Sequence, residues 1–472
     1  MKKIFAKVFL STIALSALAA CNDEGLEPTL SQSKIYDENI NTVEDLRTAM
    51  NGGYERLQSA NYYGRDVIIF GEVRSDNTYA NGNSNRFPTV GQMNMQPTDA
   101  YSSDSWTKIY QAVSNTNIVI NKPAEQLTGS PQQIQNIKGQ AYAMRALAHF
   151  DLLRIYGQQF INGQGGMNAL GVPYIKVFRD VNNLYPTRNT VQQNYDEIMK
   201  DLDTAINLMD GAGIKTNGHY LTSMAAHALK ARIALYFKKY QLAEDEAKIV
   251  VESAQYEIAK ADDYLKTFKD DLTKNIIFSL DFNLNDNLGN NSLASIYRGT
   301  AYGDIVALKN LYDAYDTNDI RKTTDFINDL DEEGEHTGNW RNIGKYPTVG
   351  TPSDDVPLIR IEEVVLIYAE ALLNNGKAGD ALVQLNSITA KRNANAYTAA
   401  TMDNILSERR KELAFEGFRF DDIARTGKAM PLVDPLKQKY GNVPFGSFKY
   451  AFPIPLTEIG PNANMKQNFG YN

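Results

Sequence analysis

The stretch Glu408–Lys428 reads "ERRKELAFEGFRFDDIARTGK", and eleven of its residues carry charge. Leu406, Leu413 and Phe420 recur every seventh position, as the buried stripe of a helix would. The spacing predicts one helix over Met402–Thr426. On it, Glu412 and Glu416 would stand one turn apart, with β-carbons about 5–6 Å from each other. A glycosidase also needs two carboxylates, but they must flank the scissile bond. Two side chains on one helical face point the same way and cannot do that. Each Glu also has a cation within reach: Arg409 lies three residues before Glu412, and Arg419 three after Glu416. Asp421 and Asp422 address Arg425 in the same way. The stretch therefore reads as an ion-pair lattice around a packed helix. A nucleic-acid strip is excluded by its matched charges and by the chain's net charge of −8, because phosphate binding needs a basic face.

Helical periods extend in both directions from this stretch. "NTVEDLRTAMNGGYERLQ" carries Val43, Leu46, Met50 and Tyr54 at steps of three and four. "SWTKIYQAVSNTNIVINK" and "QQIQNIKGQAYAMRALAHFDLLRIYG" behave likewise, the second stopping at Gly157. Further helices are expected over Thr190–Met209, Thr222–Lys239, Leu242–Ser253, Ile359–Asn374 and Ala378–Lys391. Two helix pairs repeat one another. Ala231 and Ala243 lie twelve residues apart across a short turn, and Ala369 and Ala381 repeat that spacing with Gly376 at the turn. Small residues there let antiparallel helices approach closely, as in a tetratricopeptide hairpin. The expected fold is mostly α: a scaffold of such hairpins rather than a regular solenoid. Long irregular stretches at Asn61–Ser105, Leu280–Tyr302 and Asp329–Pro357 interrupt it, and loops of that length in a compact domain tend to carry function.

The chain has 472 residues, 43% hydrophobic and 22% charged, which is ordinary globular composition. Length alone suggests roughly three domains, but stacked helical units grow without adding domains. The N-terminus "MKK" followed by "IFAKVFLSTIALSALAAC" reads as a secretory signal, too short to stay in a membrane as a spanning helix. Leu18-Ala19-Ala20-Cys21 resembles a bacterial lipobox. Cys21 is the only cysteine, so an exported chain without a disulfide framework needs another use for it. Residues 1–20 are expected to be the signal peptide, 21–36 a lipidated polar tether, and 37–472 the folded domain, divided at about 280/281.

Catalytic motifs are missing. The sequence has no G-x-S-x-G elbow, no H-E-x-x-H and no P-loop, and its four His stand apart at 149, 219, 227 and 336. His149 and His227 fall inside helical patterns and read as hydrogen-bonded packing residues. "DFNLNDNLGNNS" from Asp281 starts like a calcium loop but lacks Gly at its sixth place and Glu at its twelfth. "DLDEEGEHTG" could hold a calcium ion loosely, but it reads better as a solvated acidic loop. No metal or cofactor is expected.

Glu408–Lys428 resembles the C-terminal signature of the SusD/RagB family of Bacteroidetes nutrient-binding lipoproteins. "PLIRIEEVVLIYAEALLNNGK" (Pro357–Lys377), "FPIPLTEIGPNANMKQNFGY" (Phe452–Tyr471), "RALAHFDLLRIYG" (Arg145–Gly157) and "WTKIYQAVSNTNIVI" (Trp106–Ile120) resemble other parts of it, in the family's order. "NDEG" after Cys21 is similar to that phylum's surface-export signals. "RTGK" departs from the pattern, where many members have an aromatic after the Arg. The resemblance implies tetratricopeptide-like hairpins, no enzymatic activity, and an outer-membrane lipoprotein on the cell surface. It further implies capture of oligosaccharide or another nutrient and capping of a SusC-like TonB-dependent transporter. Sugar rings stack their C–H faces on aromatic planes while amides bond their hydroxyls. The candidates for such contacts are Tyr79, Asn81, Asn83 and Phe87 in the first long loop, with Tyr302 and Trp340 from later ones. Trp340 sits in the polar "TGNWRN" with no evident packing role, whereas Trp106 opens a helix and reads as core. A peptide cargo and a surface glycan hydrolase are the alternatives, although no carboxylate pair presents itself for hydrolysis.

Overall fold

Thr42 begins the first long helix, α1 (Val43–Gln58), through a reciprocal cap. Its hydroxyl accepts the Asp45 N–H at 3.1 Å, and the Asp45 carboxylate accepts the Thr42 N–H at 3.0 Å. The computed structural model describes residues 39–269, 272–298, 302–331 and 333–471. The expected signal peptide, Cys21 and the tether lie outside the described residues. Residues from Thr42 onward form one compact unit.

After α1 come α2 (Asp66–Val73), β1 (Thr78–Ala80), α3 (Ala100–Asn121), α4 (Pro131–Tyr156), α5 (Val191–Ala212), α6 (Ser223–Tyr236) and α7 (Tyr240–Glu252). The second half holds β2 (Ile276–Leu280), β3 (Ile305–Ala307), β4 (Ile327–Leu330), β5 (His336–Asn342), β6 (Val356–Arg360), α8 (Ile361–Asn374), α9 (Ala378–Lys391), α10 (Met402–Glu412) and α11 (Arg419–Arg425). The fold is mostly helical, as the periodicity predicts. α6/α7 and α8/α9 are the two hairpins, and α7 packs on α8 so that they stack. Ala231, Ala243, Ala369 and Ala381 are all fully buried at the helix crossings. Gly376 turns the second hairpin at φ 81°, a conformation that glycine adopts without steric cost. Among the described residues no helix is long and apolar enough to cross a membrane.

Two expectations need correction. The helix predicted over Met402–Thr426 stops at Glu412 and restarts at Arg419. Between them the chain reverses with Phe415 at φ 70° and Gly417 at φ 88°. The buried stripe survives the break, with Leu406, Leu413 and Phe420 all in the core. The stretch Asn61–Ser105 is not all loop either, because α2, "DVIIFGEV", is buried along its whole length. A helix apolar on every side has no 3.6-residue period to betray it.

The strands form two small antiparallel sheets, β2–β6 and a four-stranded one in the order β1–β3–β5–β4. In the larger sheet Thr78 lies opposite Ala307 and Tyr79 opposite Val306, while Ala307 also pairs with Trp340. The three long stretches that interrupt the helical pattern each supply or border strands of these two sheets.

Candidate functional site

The charges of the Glu408–Lys428 stretch turn inward. Glu412 and Glu416 do not pair with the nearby Arg409 and Arg419, as the helix would have required. Arg360 donates from Nε and Nη2 to Glu416 at 2.9 and 2.7 Å, and from Nη1 to Glu412 at 3.1 Å. Arg392 grips Glu412 with two bonds of 2.9 Å, and Arg321 adds a third guanidinium at 3.0 Å. Lys345 Nζ reaches Glu416 at 2.6 Å and the carbonyls of Glu412 and Ala414 at 2.8 Å. All of these side chains are buried. Burial alone would raise the Glu412 carboxyl, but Arg392, Arg360 and Arg321 hold it well below the usual carboxylate range. Burial pushes the Lys345 ammonium down to about 8, against the pull of Glu416. These two carboxylates are buried and engaged on every side by cations.

This cluster fastens the sheet. Gly417 lets the turn lie on α2 so closely that a β-carbon on Gly71 would meet the Gly417 carbonyl oxygen at 1.9 Å. Glu72 of α2 accepts the Gly417 N–H at 2.8 Å and the Asn77 side-chain amide at 3.0 Å. Arg410 donates to Asn77 Oδ1 at 2.8 Å and to the Asp76 carbonyl at 2.7 Å, while Arg419 binds the Asp76 carboxylate at 2.6 Å. Asn77 immediately precedes β1. At the other end, Asn342 of β5 donates to the Lys345 carbonyl at 2.9 Å. The signature thus sets the positions of the two strands that carry Tyr79 and Trp340.

Beyond β1 the chain turns over Asn81–Arg86 around the buried Asp304. That carboxylate accepts the N–H groups of Ser84 at 2.9 Å and Arg86 at 3.0 Å, and the Ser84 hydroxyl as well. Asn81 and Asn83 are exposed on this turn. Asn81 donates to the Gly303 carbonyl at 3.1 Å and Asn83 to the Tyr302 carbonyl at 2.7 Å. The Arg86 guanidinium lies 3.7 Å over the half-buried Tyr302 ring. Tyr79 is buried against Val306 and Leu308, with its hydroxyl 3.5 Å from Asn339. Tyr79, Asn81, Asn83 and Tyr302 are therefore gathered at one end of the sheet.

Phe87 and Trp340 stand apart from that group. Phe87 is fully buried, stacked on Tyr101 with 4.6 Å between ring centroids, and offers no face to a ligand as it stands. Trp340 has the packing role that "TGNWRN" concealed: it is 9% exposed and stacks on Tyr312 at 3.9 Å. Directly paired residues share a sheet face, so Trp340 lies on the face of Ala307 and Thr78, opposite Tyr79. Sequence reasoning missed Arg86, Asp304 and Tyr312. Arg86 and Asp304 flank the candidate loops and could have been nominated with them. The Tyr312–Trp340 stack joins segments with no local signal in common. Trp106, read as core, is buried. His149 and His227 are hydrogen-bonded, His149 to the Arg145 carbonyl at 2.9 Å and His227 to Glu246 at 2.5 Å. Among the described residues no group of three His, Cys, Asp or Glu is placed to hold a metal ion.

Comparison with known proteins places this arrangement in context. Residues 28–235 match the family model described as "Starch-binding associating with outer membrane", and residues 322–471 match the SusD family. A SusD-like protein of Formosa agariphila is 24% identical, the match covering 98% of each chain. The starch-binding protein SusD of Bacteroides thetaiotaomicron is 32% identical over 138 residues, which is 28% of this chain and 25% of that one. Among solved structures, a putative sugar binding protein from Bacteroides vulgatus superposes with a TM-score of 0.81 at 27% identity. That match covers 92% of this chain and 99% of the other.

Proposed function

This chain belongs to the SusD/RagB family, whose description implies carbohydrate binding associated with the outer membrane, and on that footing we propose that it is a surface lipoprotein that captures oligosaccharide without cleaving it. The observation that supports this most is the gathering of Asn81, Asn83 and Tyr302 at one exposed edge of the sheet, on a turn held by Asp304. The two amides supply donors and acceptors for sugar hydroxyls. Tyr302 supplies an aromatic plane backed by Arg86. On the other face, Trp340 stacks on the half-buried Tyr312 ring, and Lys322 Nζ lies over that ring at 5.1 Å, where both could border a sugar.

In this reading, Cys21 carries the lipid and residues 22–36 form the tether. Stable attachment takes more than one acyl chain, at about 0.8 kcal/mol per buried CH₂. Capture at the surface cannot by itself move a nutrient inward, so the partner is a SusC-like TonB-dependent transporter. Anchoring in the same membrane makes that encounter effectively intramolecular, and modest contacts suffice. Isothermal calorimetry and affinity gels with a panel of polysaccharides test the reading, with reducing ends assayed in parallel. Binding without new reducing ends is expected. Tyr302→Ala is expected to weaken that binding by about 1–3 kcal/mol, the size of a stacking contact, and Trp340→Ala to weaken it indirectly, by removing the support under Tyr312. Cys21→Ala should release folded protein from the outer membrane, and the native protein should co-purify with a large β-barrel in mild detergent. Silence across the whole panel, or release of new ends, would overturn it.

A further inference from the structure

A second cavity shares no lining residue with the sheet edge. It is an open cleft of about 730 Å³ between α3, the chain segment 173–189 and the C-terminal residues Glu458 and Met465. That volume is within the range of about 300–1,000 Å³ that holds small ligands. Its aromatic walls are fixed in advance. Tyr110 donates its hydroxyl to the Pro173 carbonyl at 2.8 Å. Tyr174 donates to Asp201 at 2.6 Å and stacks on His149, with 3.8 Å between ring centroids. His149 in turn accepts the Ile175 N–H at 3.0 Å, so the segment carrying Tyr174 is tied to α4. A wall that is already ordered costs less entropy when a ligand arrives.

The charged groups lining the cleft are of both signs, Lys176 and Arg179 against Asp180, Glu197 and Glu458, and neutral polar groups stand among them. Gln111 and Ser114 lie three residues apart on one face of α3, and Asn183 faces the cleft from the opposite segment. Lys176, which also lines it, is taken up by Glu197 at 2.5 Å. Glu458 bonds with the Trp106 side chain, and among the described residues it forms no ion pair. Charges of both signs offset one another here, so the cleft does not favour a strongly charged ligand, while its carboxylates and amides can bond hydroxyl groups and its tyrosine rings offer faces to C–H bonds.

The geometry points to a second binding site in this cleft, which takes a short neutral oligosaccharide independently of the sheet edge. The ligand class rests on the glycan reading above, but the site is separate. Trp340→Phe leaves Trp106, in the cleft floor, as the sole tryptophan. Its fluorescence is followed while maltotriose, cellotriose and laminaritriose are added to the full mature protein. At least one sugar is expected to give a saturable change. In the same background, Ser114→Phe should abolish that change by placing a bulky ring on the α3 wall of the cleft, and the exposed Gln111→Ala should weaken binding about two- to tenfold. A response that survives Ser114→Phe in folded protein overturns the proposal. So does a silent Trp106 when calorimetry on wild type detects a sugar whose binding Asn83→Ala weakens, and that outcome leaves the sheet-edge reading standing. A cleft response with calorimetry unmoved by sheet-edge variants keeps the cleft and removes the edge. Absence of any sugar binding by either method overturns both.

Discussion

Around Glu412 every charged group is buried and matched, whereas around Asn83 the polar groups are mostly neutral and partly wet. The first region joins Arg321, Arg360, Arg392 and Lys345 to carboxylates drawn from several elements. The second uses two exposed amides, one tyrosine and one arginine laid flat on it. Buried charges are costly unless each is paired with good geometry, so the first region tolerates one arrangement of the chain and thereby fixes β1 and β5. Neutral amides at an open edge exchange water for ligand at small cost, so the second can bind and release. The contrast separates what holds the molecule in shape from what it presents.

The largest effect should come from breaking the first region. Arg360→Met strands Glu412 and Glu416 beside one fewer cation, and loss of one partner of a buried pair costs about 3–5 kcal/mol. Chemical denaturation should show that drop, and sugar binding should fall with it because β1 and β5 lose their anchor. An unchanged midpoint would mean that the network contributes little to holding the fold.

Next in size is the contact that couples the two regions. Gly71→Ala would press a β-carbon onto the Gly417 carbonyl, and overpacking of this kind costs about 1–3 kcal/mol. The expected result is a lower denaturation midpoint together with weaker sugar binding, since α2 leads directly into β1. If only stability falls, the coupling to the sheet edge is weaker than the hydrogen bonds through Glu72 and Asn77 imply.

These two variants also mark where the sequence could be read and where it could not. The ion-pair lattice was legible from composition and so was the stripe of Leu406, Leu413 and Phe420. The partners were not. Glu412 and Arg409 are near in sequence, but the break at Phe415 and Gly417 sends Glu412 to Arg392 and Arg360 and leaves Arg409 with Asp422. Local spacing predicts pairs only while the helix continues. The hairpins were legible because small residues recur at one spacing in both. α2 was hidden because it is buried on every side and so shows no helical period, and β1 and β3 by their length of three residues each. At the candidate site, Asn81, Asn83 and Tyr302 were nominated from loop composition alone. The burial of Phe87 and the stacking of Trp340 depend on Tyr101 and Tyr312, partners that no local pattern announces.

A third variant tests a region between the two extremes, where a titratable ring is buried without a charge partner. Burial pushes the His149 imidazole from 6.5 down to about 3, and both of its nitrogens are engaged with backbone groups. The unfolded chain binds a proton there below about pH 6.5, while the folded one resists until about pH 3. Stability from this group is therefore full above pH 6.5 and is lost as pH falls toward 3, at no more than about 1.4 kcal/mol per pH unit. Subtracting the stability profile of His149→Gln from that of wild type isolates the term. A flat difference across that window would show that the imidazole already carries a proton in the folded protein.

The smallest effect should come from the sheet edge itself, and it sharpens the contrast most. Asn83 is exposed, and its side-chain bond to the Tyr302 carbonyl at 2.7 Å closes the turn over Asp304. Asn83→Ala removes that bond and one amide offered to a sugar, but it leaves Asp304 bound to Ser84 and Arg86. An exposed substitution of this kind shifts stability by no more than about 0.5 kcal/mol. A hydrogen bond to ligand is worth about 0.5–1.5 kcal/mol net, so affinity should fall about two- to tenfold while the denaturation midpoint stays in place. Calorimetry and denaturation on the same preparation read both quantities. Arg360→Met should move stability and binding together, whereas Asn83→Ala should move binding alone. If Asn83→Ala destabilises the protein as much as it weakens binding, the turn belongs to the scaffold, and ligand contact must be sought at Tyr312 on the opposite face.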